Sequence, residues 1–350
     1  SDVLIVAAGG LGDMILFSLV LPRFLSLAKE GEKIYLLLRK SSVKGAFLLP
    51  PEITVISIDF GLLHTDLGYR KKVMNELFNS NFRFVVSADF LRHPDLDEAL
   101  IKASQPQESA AMEPAAWKKY DRQLINNRKM YSKLFNSGPK VSDKILRWTS
   151  FANWLLNEDA PPPKISIPLN KLAKPCPVSK PFCIIQPFSA VKEKQSPPSL
   201  YEKLLPILPE NMDIRITGTV NDIENNPEFQ CLLSKKNISF DTSTLEELVP
   251  VLRAAKLVVS VDTAVMHLAV SVGAPTLCLA SAAYVNEIIP YALETMPTNV
   301  RFVYKDMPCR GCLGSCRFPA EQQMYPCVAN INWHLVKTAA KELLQTNLAR

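Results

Sequence analysis

Residues 256–280 read KLVVSVDTAVMHLAVSVGAPTLCLA, and the order of residue types within them decides the fold. Leu257 to Val261 form a short aliphatic run without polar alternation apart from one serine, the pattern of a strand buried on both faces. The run stops at Asp262. Thr263 is a helix-capping residue type, an apolar stretch follows with His267 one turn in, and Gly273 ends it before the strand-like PTLCLA. Strand, loop, helix and strand in such short order is the rhythm of a parallel α/β sheet. A helix that begins directly after a buried strand presents unpaired N–H groups and positive potential, which suits a diphosphate. Capping alone accounts for Asp262 and Thr263. His267 is the polar side chain inside VMHLAV, and a buried imidazole needs a partner: a phosphate, a ribose hydroxyl or a backbone carbonyl.

Working outward, FCIIQ, MDIRIT, LVVSVD and PTLCLA alternate with helical stretches 199–208, 222–235, 244–254 and 263–272. In the first half VLIVAA, KIYLLL, ITVISI and FRFVVSA alternate with helical stretches such as 14–30 and 66–79. Both halves therefore read as Rossmann-like, with ligands expected beyond the carboxyl ends of the strands. Seven prolines in the 21 residues from Pro161 to Pro181 forbid helix and central strand, so 161–181 reads as a linker. The expected organisation is a domain at 1–160, the linker, a second domain at 182–331 with a cysteine-rich loop at 308–328, and a C-terminal helix at 332–350.

Composition bounds the rest. With 350 residues, 47% hydrophobic and 21% charged, the chain can bury a sizeable core and is neither a mini-protein nor disordered. Twelve Gly against 27 Pro exclude collagenous and flexible-linker character, and the net charge of +6 favours anionic partners without demanding nucleic acid. The apolar opening lacks the basic start of a signal peptide and carries Asp13, so the expected location is cytoplasmic and non-spanning.

The loop AAGGLGDMI follows the first strand and offers a glycine loop in Gly10 and Gly12. As a dinucleotide fingerprint it fails: Ile15 stands where the third glycine belongs, and the second strand ends in Arg39 and Lys40 instead of an acidic ribose ligand. Asp13 is then a carboxylate in the first turn of a helix, either a cap or a catalytic group at the mouth of the sheet.

The pairing of GGLGDMILFSLVLP near the N-terminus with SVDTAVMHLAVSVGAPTLCL resembles the bacterial heptosyltransferases of glycosyltransferase family 9. Members typically show a Gly-Asp dipeptide at the first helix, then D-[ST]-G-x-x-H-x-x-A and G-x-P-T. This chain has Gly12-Asp13, Asp262-Thr263, His267, Gly273 and Pro275-Thr276, with Ala264 in place of the glycine. The resemblance implies a GT-B fold, two Rossmann-like domains facing across a cleft. It further implies inverting transfer of a sugar, heptose from ADP-heptose in the best-known members, to a hydroxyl acceptor such as the lipopolysaccharide core. The matching aspartate, here Asp13, is then the general base, and no catalytic metal is needed where helix dipole and lysine stabilise the departing diphosphate. Because the missing glycine would let the helix start approach the donor phosphate, Ala264 bears on pocket width. The loop FSAVKEKQSPPSLYEKLL resembles the family segment that carries hydroxyls and a lysine, making Ser189 and Lys194 donor-phosphate candidates with Lys192 as the alternative. Thr217, Gly218 and Asp222, after the strand MDIRIT, are candidates near the nucleoside.

From Trp117 to Trp148 nine Lys or Arg oppose two Asp, and Trp117, Tyr120, Leu124, Tyr131, Leu134 and Phe135 recur at helical spacing. This reads either as a helix with a solvated basic face or as a surface for an anionic acceptor, glycan, lipid-linked or protein, or for peripheral contact with the inner membrane face. Cys309, Cys312, Cys316 and Cys327 stand as C-x2-C-x3-C-x10-C, with Gly311 and Gly314 permitting tight turns. The expectation is a closed structural site for zinc or, second, iron; free thiols and oxidation-dependent disulfides are the alternatives. Some family members carry a similar tail with different spacing. Competing functions are a GT-B transferase using another nucleotide sugar or glycosylating a protein side chain, a metal-knuckle nucleic-acid-binding protein, and an inactive transferase-like scaffold. No nucleic-acid partner is expected, since an aromatic-basic RNA motif is missing from the sequence.

Overall fold

The computed structural model describes residues 2–348. The chain divides into two compact units, Ser1–Pro162 and Pro163–Arg350. The first carries β1 (Val3–Ala7), β2 (Ile34–Arg39), β3 (Ile53–Ile58), β4 (Phe84–Ser87), β5 (Glu108–Met112) and β6 (Lys133–Phe135). These form one sheet in the order β3-β2-β1-β4-β5-β6, and every pairing is parallel. All five residues of β1 are buried, as a central strand covered by helices on both faces must be.

The second unit carries β7 (Phe182–Gln186), β8 (Asp213–Thr217), β9 (Ile238–Asp241), β10 (Leu257–Val261), β11 (Thr276–Leu279) and β12 (Val300–Val303). Its sheet is also wholly parallel, in the order β12-β11-β10-β7-β8-β9. Counted from each unit's own first strand, both orders are 3-2-1-4-5-6. The connections depart in opposite directions between β1 and β4 and again between β7 and β10. That reversal opens a crevice beyond the strand ends, where ligands of doubly wound sheets bind.

Two local outcomes differ from the sequence reading. The stretch Trp117–Trp148 is not one helix: Asp121–Asn127 is helical, Leu134 and Phe135 lie on β6, and a new helix starts at Lys144. Pairing with β5 overrides the helical spacing there. The proline-rich residues after Pro163 lie on the second unit, since Ile165, Ile167 and Cys176 donate their N–H groups to Thr295, Ser271 and Pro250 and Ile165 is fully buried. Prolines hold that segment extended while the intervening residues supply the donors. The C-terminal helix Trp333–Leu348 packs Val336, Ala340 and Leu343 onto a core that includes Leu277 and Val303. Among the described residues no helix is long and apolar enough to cross a membrane.

Candidate functional site

The first crevice is built around the end of β1. Gly10 is the extended N-cap of the helix Leu11–Phe24, and Asp13, third in that helix, accepts the Gly10 N–H at 3.1 Å. A carboxylate here is favoured by the helix's positive end. The close approach requires a glycine one residue earlier than the sequence indicated: a Cβ on Gly9 would stand 2.8 Å from the Asp13 Cβ, whereas one on Gly10 would meet nothing nearer than 3.8 Å. Gly12 sits inside the first helical turn. The loop is fixed from behind, for Ser42 Oγ donates to Gly9 O at 2.9 Å and Arg39 Nε donates to Ala8 O.

Two residues that no sequence pattern indicated complete this end. Lys144 places its ammonium 2.6 Å from Asp13 Oδ1. Asp89, just past β4, accepts the Ala8 N–H at 2.6 Å. Loss of hydration, together with the carboxylates of Asp97 and Asp13, pushes the Asp89 carboxyl up to about 7. The crevice thus holds one carboxylate paired to a lysine and a second that keeps its proton far longer than an ordinary aspartate.

The second crevice lies between β7 and β10, and here Lys194 and Asp262 converge. Lys194 Nζ stands 2.8 Å from Asp262 Oδ2, with the Lys194 side chain 12% exposed and that of Asp262 4%. Asp262 Oδ1 lies 3.8 Å from His267 Nε2, and His267 Nδ1 is 2.7 Å from Tyr291 Oη. The Lys194 ammonium also rests 4.8 Å from the centre of the Tyr284 ring, a cation–π contact that keeps it oriented in a poorly hydrated place. Tyr284 and Tyr291 escaped the sequence reading because nothing in their neighbourhood marks them.

The other candidates are placed less centrally. Thr263 is the N-cap of the helix Ala264–Ser271 through its extended backbone, but its side chain makes no capping bond and lies 3.5 Å from Ser260 Oγ. Ala264 opens that helix and is half-buried, so the helix start remains reachable. Ser189 Oγ accepts the Val191 N–H, and its carbonyl takes the Gln195 amide. Lys192 turns away onto Asn226 and Glu228, which leaves Lys194 as the lysine at the crevice. Asp222 is occupied in a capping box with Thr219 at the start of Val220–Asn225. Thr217 is buried and donates to Gln186 Oε1 at 2.6 Å, while Gly218 is held close to Phe188, whose ring a Cβ would meet at 2.7 Å.

Of the nine basic residues from Lys118 to Arg147, four have structural employment. Arg147 is buried against the carbonyls of Ser137 and Pro139 and over the Phe90 ring, Arg128 pairs with Glu113, Lys133 with Glu108, and Lys144 with Asp13. Lys118, Lys119, Arg122, Lys129 and Lys140 remain as the exposed basic surface.

The four clustered cysteines are gathered but unbridged. Burial, then a hydrogen bond with Cys316 and the nearness of Cys312 and Cys327, push the Cys309 thiol up. Burial also raises Cys327, whose sulfur accepts the Ala282 N–H at 3.3 Å. Among the described residues, no three His, Cys, Asp or Glu side chains stand as a ready metal site. The closed four-sulfur site expected from the spacing is thus not formed in this structure: the thiols lie near one another, Cys327 buried and the other three half-buried, a set whose chemistry suits a soft cation. The loop braces the second crevice: Tyr325 N donates to Glu193 O, next to Lys194, and Gly311 N and Leu313 N donate to Ala282 O and Ala283 O, next to Tyr284.

No curated protein matches the chain. Residues 109–312, more than half of it, match the family described as glycosyltransferase family 9 (heptosyltransferase). Among solved structures, the E. coli heptosyltransferase WaaC with ADP-2-deoxy-2-fluoro heptose is 16% identical with a TM-score of 0.67, over 99% of this chain and 100% of that one. The family 9 glycosyltransferase of Veillonella parvula is 14% identical with a TM-score of 0.70, over 99% and 97%. The iron-containing dodecameric glycosyltransferase TibC of enterotoxigenic E. coli is 14% identical with a TM-score of 0.52, over 99% of this chain and 77% of its own. With a family match over most of its sheet-forming middle and the GT-B fold of the heptosyltransferases throughout, the chain belongs to glycosyltransferase family 9.

Proposed function

We propose that this glycosyltransferase is inverting and moves a heptose from ADP-heptose to a hydroxyl acceptor such as the lipopolysaccharide core. The observation that carries the reading is the Lys194–Asp262–His267 cluster at the second crevice, a nearly buried cation beside the start of the helix Ala264–Ser271. Buried positive charge at a strand end is what a departing nucleoside diphosphate requires. Ser189, Thr263 and Ala264 border the same diphosphate, and Asp222 serves the nucleoside end. Asp13 takes the acceptor hydroxyl's proton as the oxygen attacks the anomeric carbon, which loses its bond to the diphosphate with inversion. The exposed basic surface of Lys118, Lys119 and Arg122 favours an anionic acceptor, as inner-core saccharides are. Neither step needs a metal.

The cysteine cluster is a separate, structural matter. Burial and the neighbouring sulfurs raise Cys309 and Cys327, a cost that a soft cation relieves, and we infer that Cys309, Cys312, Cys316 and Cys327 close around zinc or iron, an inference supported by the iron in TibC.

Calorimetric titration of ADP-heptose, UDP-glucose and GDP-mannose, followed by NMR of the transfer product's anomeric signal, tests the function. Binding of ADP-heptose alone and an inverted anomer are expected; preference for another nucleotide or a retained anomer overturns it.

A further inference from the structure

Two helices of the first unit run side by side from a common end, and their packing sets the distance between Asp13 and Lys144. Asp13 is third in Leu11–Phe24, and Lys144 opens Lys144–Leu156, whose N-cap Asp143 accepts the Leu146 N–H. Four residues beyond each, Phe17 meets Trp148 with ring centres 5.2 Å apart in an edge-on contact; further along, Phe24 meets Phe151 at 6.1 Å. Phe17, Phe24 and Phe151 are at most 2% exposed. Trp148 donates its indole N–H to Ala88 O at 2.8 Å, tying the second helix to the residue before Asp89. A buried aromatic seam of this kind tolerates little sliding. Lysine and aspartate, 131 residues apart in sequence, are thus brought together by the core and not by a surface accident.

Their exposure supports a role in chemistry. The Asp13 and Lys144 side chains are 24% and 23% exposed, dry enough for the pair to persist and open enough for a substrate to reach the carboxylate. One Asp13 oxygen lies against the Lys144 ammonium and the other against the Gly10 N–H.

We propose that Lys144 is a positioning residue for transfer: it fixes the Asp13 carboxylate between its own ammonium and the Gly10 N–H, and acts on the reaction through that carboxylate. The proposal rests on Asp13 being the general base. An unrestrained aspartate at a crevice mouth samples several rotamers, and holding it in one removes that disorder from the step in which it takes the proton. The ammonium's attraction for negative charge is opposed by Asp89, which adjoins Asp13, with Asp97 behind it. Arg39, held on Ala8 O, and the buried Arg92, held on Asp89 O, are the other charges packed around this end.

The test compares Lys144→Met, Lys144→Gln and Lys144→Arg with the wild type, using ADP-heptose and heptose-free lipopolysaccharide core. Removing the charge should lower kcat about 10-fold or more while the acceptor KM stays within about twofold, and arginine should restore most of kcat. Because an opposite charge favours the ionised carboxylate, the acidic limb of kcat should move up by about one pH unit in the Met and Gln variants. The Asp13 midpoint, read without any substrate by carboxyl-carbon NMR, should move with it. A raised KM with normal kcat makes Lys144 an acceptor ligand and overturns the proposal, as does an unmoved Asp13 midpoint. Full turnover in Asp13→Asn, by contrast, sinks the general-base reading and leaves the NMR result standing.

Discussion

Tyr291 Oη lies 2.7 Å from His267 Nδ1, and this contact decides what His267 shows to Asp262. With Asp262 Oδ1 3.8 Å from Nε2, an unprotonated Nε2 would set a lone pair against a carboxylate. Tyr291 Oη also lies 3.6 Å from Met266 Sδ, but the imidazole nitrogen at 2.7 Å is the nearer and stronger acceptor; with the hydroxyl donating to Nδ1, the imidazole proton sits on Nε2 and faces Asp262. All three side chains are buried, so exchange with water does not blur the choice.

Tyr291→Phe removes that donor and leaves the ring. It should weaken nucleotide-sugar binding by roughly 0.5 to 1.5 kcal/mol, the net value of one hydrogen bond, and His267→Ala should cost more. Calorimetry on both variants checks this; a Phe variant that binds donor as the wild type does shows that the tautomer has no bearing on the site.

The two lysines of the loop after β7 should separate cleanly. Lys194→Ala removes a charge from the crevice and should cost about 1 to 3 kcal/mol of donor binding. Lys192, whose pair with Glu228 is about half-exposed, contributes in the range of 0 to 1 kcal/mol to stability, and Lys192→Ala should leave donor affinity unchanged. Asp262→Asn breaks a buried pair and should lower the melting temperature as well as the affinity. Equal losses in the two lysine variants would place the diphosphate elsewhere.

How much of this was legible follows burial. Central strands such as β1 and β10 are continuous apolar runs and declare themselves. β5 (ESAAM), β6 (KLF), β9 (ISFD) and β12 (VRFV) are short or polar and exist because a neighbour offers its edge. Asp262 and His267 could be found because helix-start chemistry leaves a local trace, and Lys194 through the resemblance of its loop to a family segment. Lys144 and Asp89 could not, for each meets Asp13 only through tertiary packing, and Gly9 is distinguished from Gly10 solely by where the Asp13 side chain falls.

Asp89 should make stability depend on pH in an unusual direction. Its carboxyl titrates near 7 in the folded chain against 3.8 for an ordinary aspartate, so between these values the folded state holds the extra proton. Stability therefore falls as pH rises through that window and levels off above it. Each unit of such a shift corresponds to about 1.4 kcal/mol. Asp89→Asn keeps an acceptor for the Ala8 N–H and carries no charge. Its advantage in melting temperature over the wild type should be clear at pH 8 and absent near pH 4. A difference that does not change with pH would mean that Asp89 is ionised throughout.

The thiol cluster should be read by its effect on Lys194. Cys327 and Val328 pack with Ala282 and Val285, Tyr325 holds Glu193 O, and the Gly311–Leu313 turn holds Ala282 O and Ala283 O. The loop therefore supports two segments of the crevice, the one that bears Lys194 and the one that bears Tyr284. Elemental analysis of protein prepared without chelator should give about one zinc or iron per chain, and the double variant Cys309→Ser, Cys312→Ser should lose it and melt earlier. Because the loosened loop releases Glu193, donor affinity should fall in the same variant. Chelation of the wild type should reproduce both losses, and restoring the metal should reverse them. Protein that holds no metal as prepared, titrates four thiols and is unaffected by chelator would show that the cluster is packing alone; the loss of donor affinity should then follow substitution of the buried Cys327, whose sulfur takes the Ala282 N–H, and not that of Cys309.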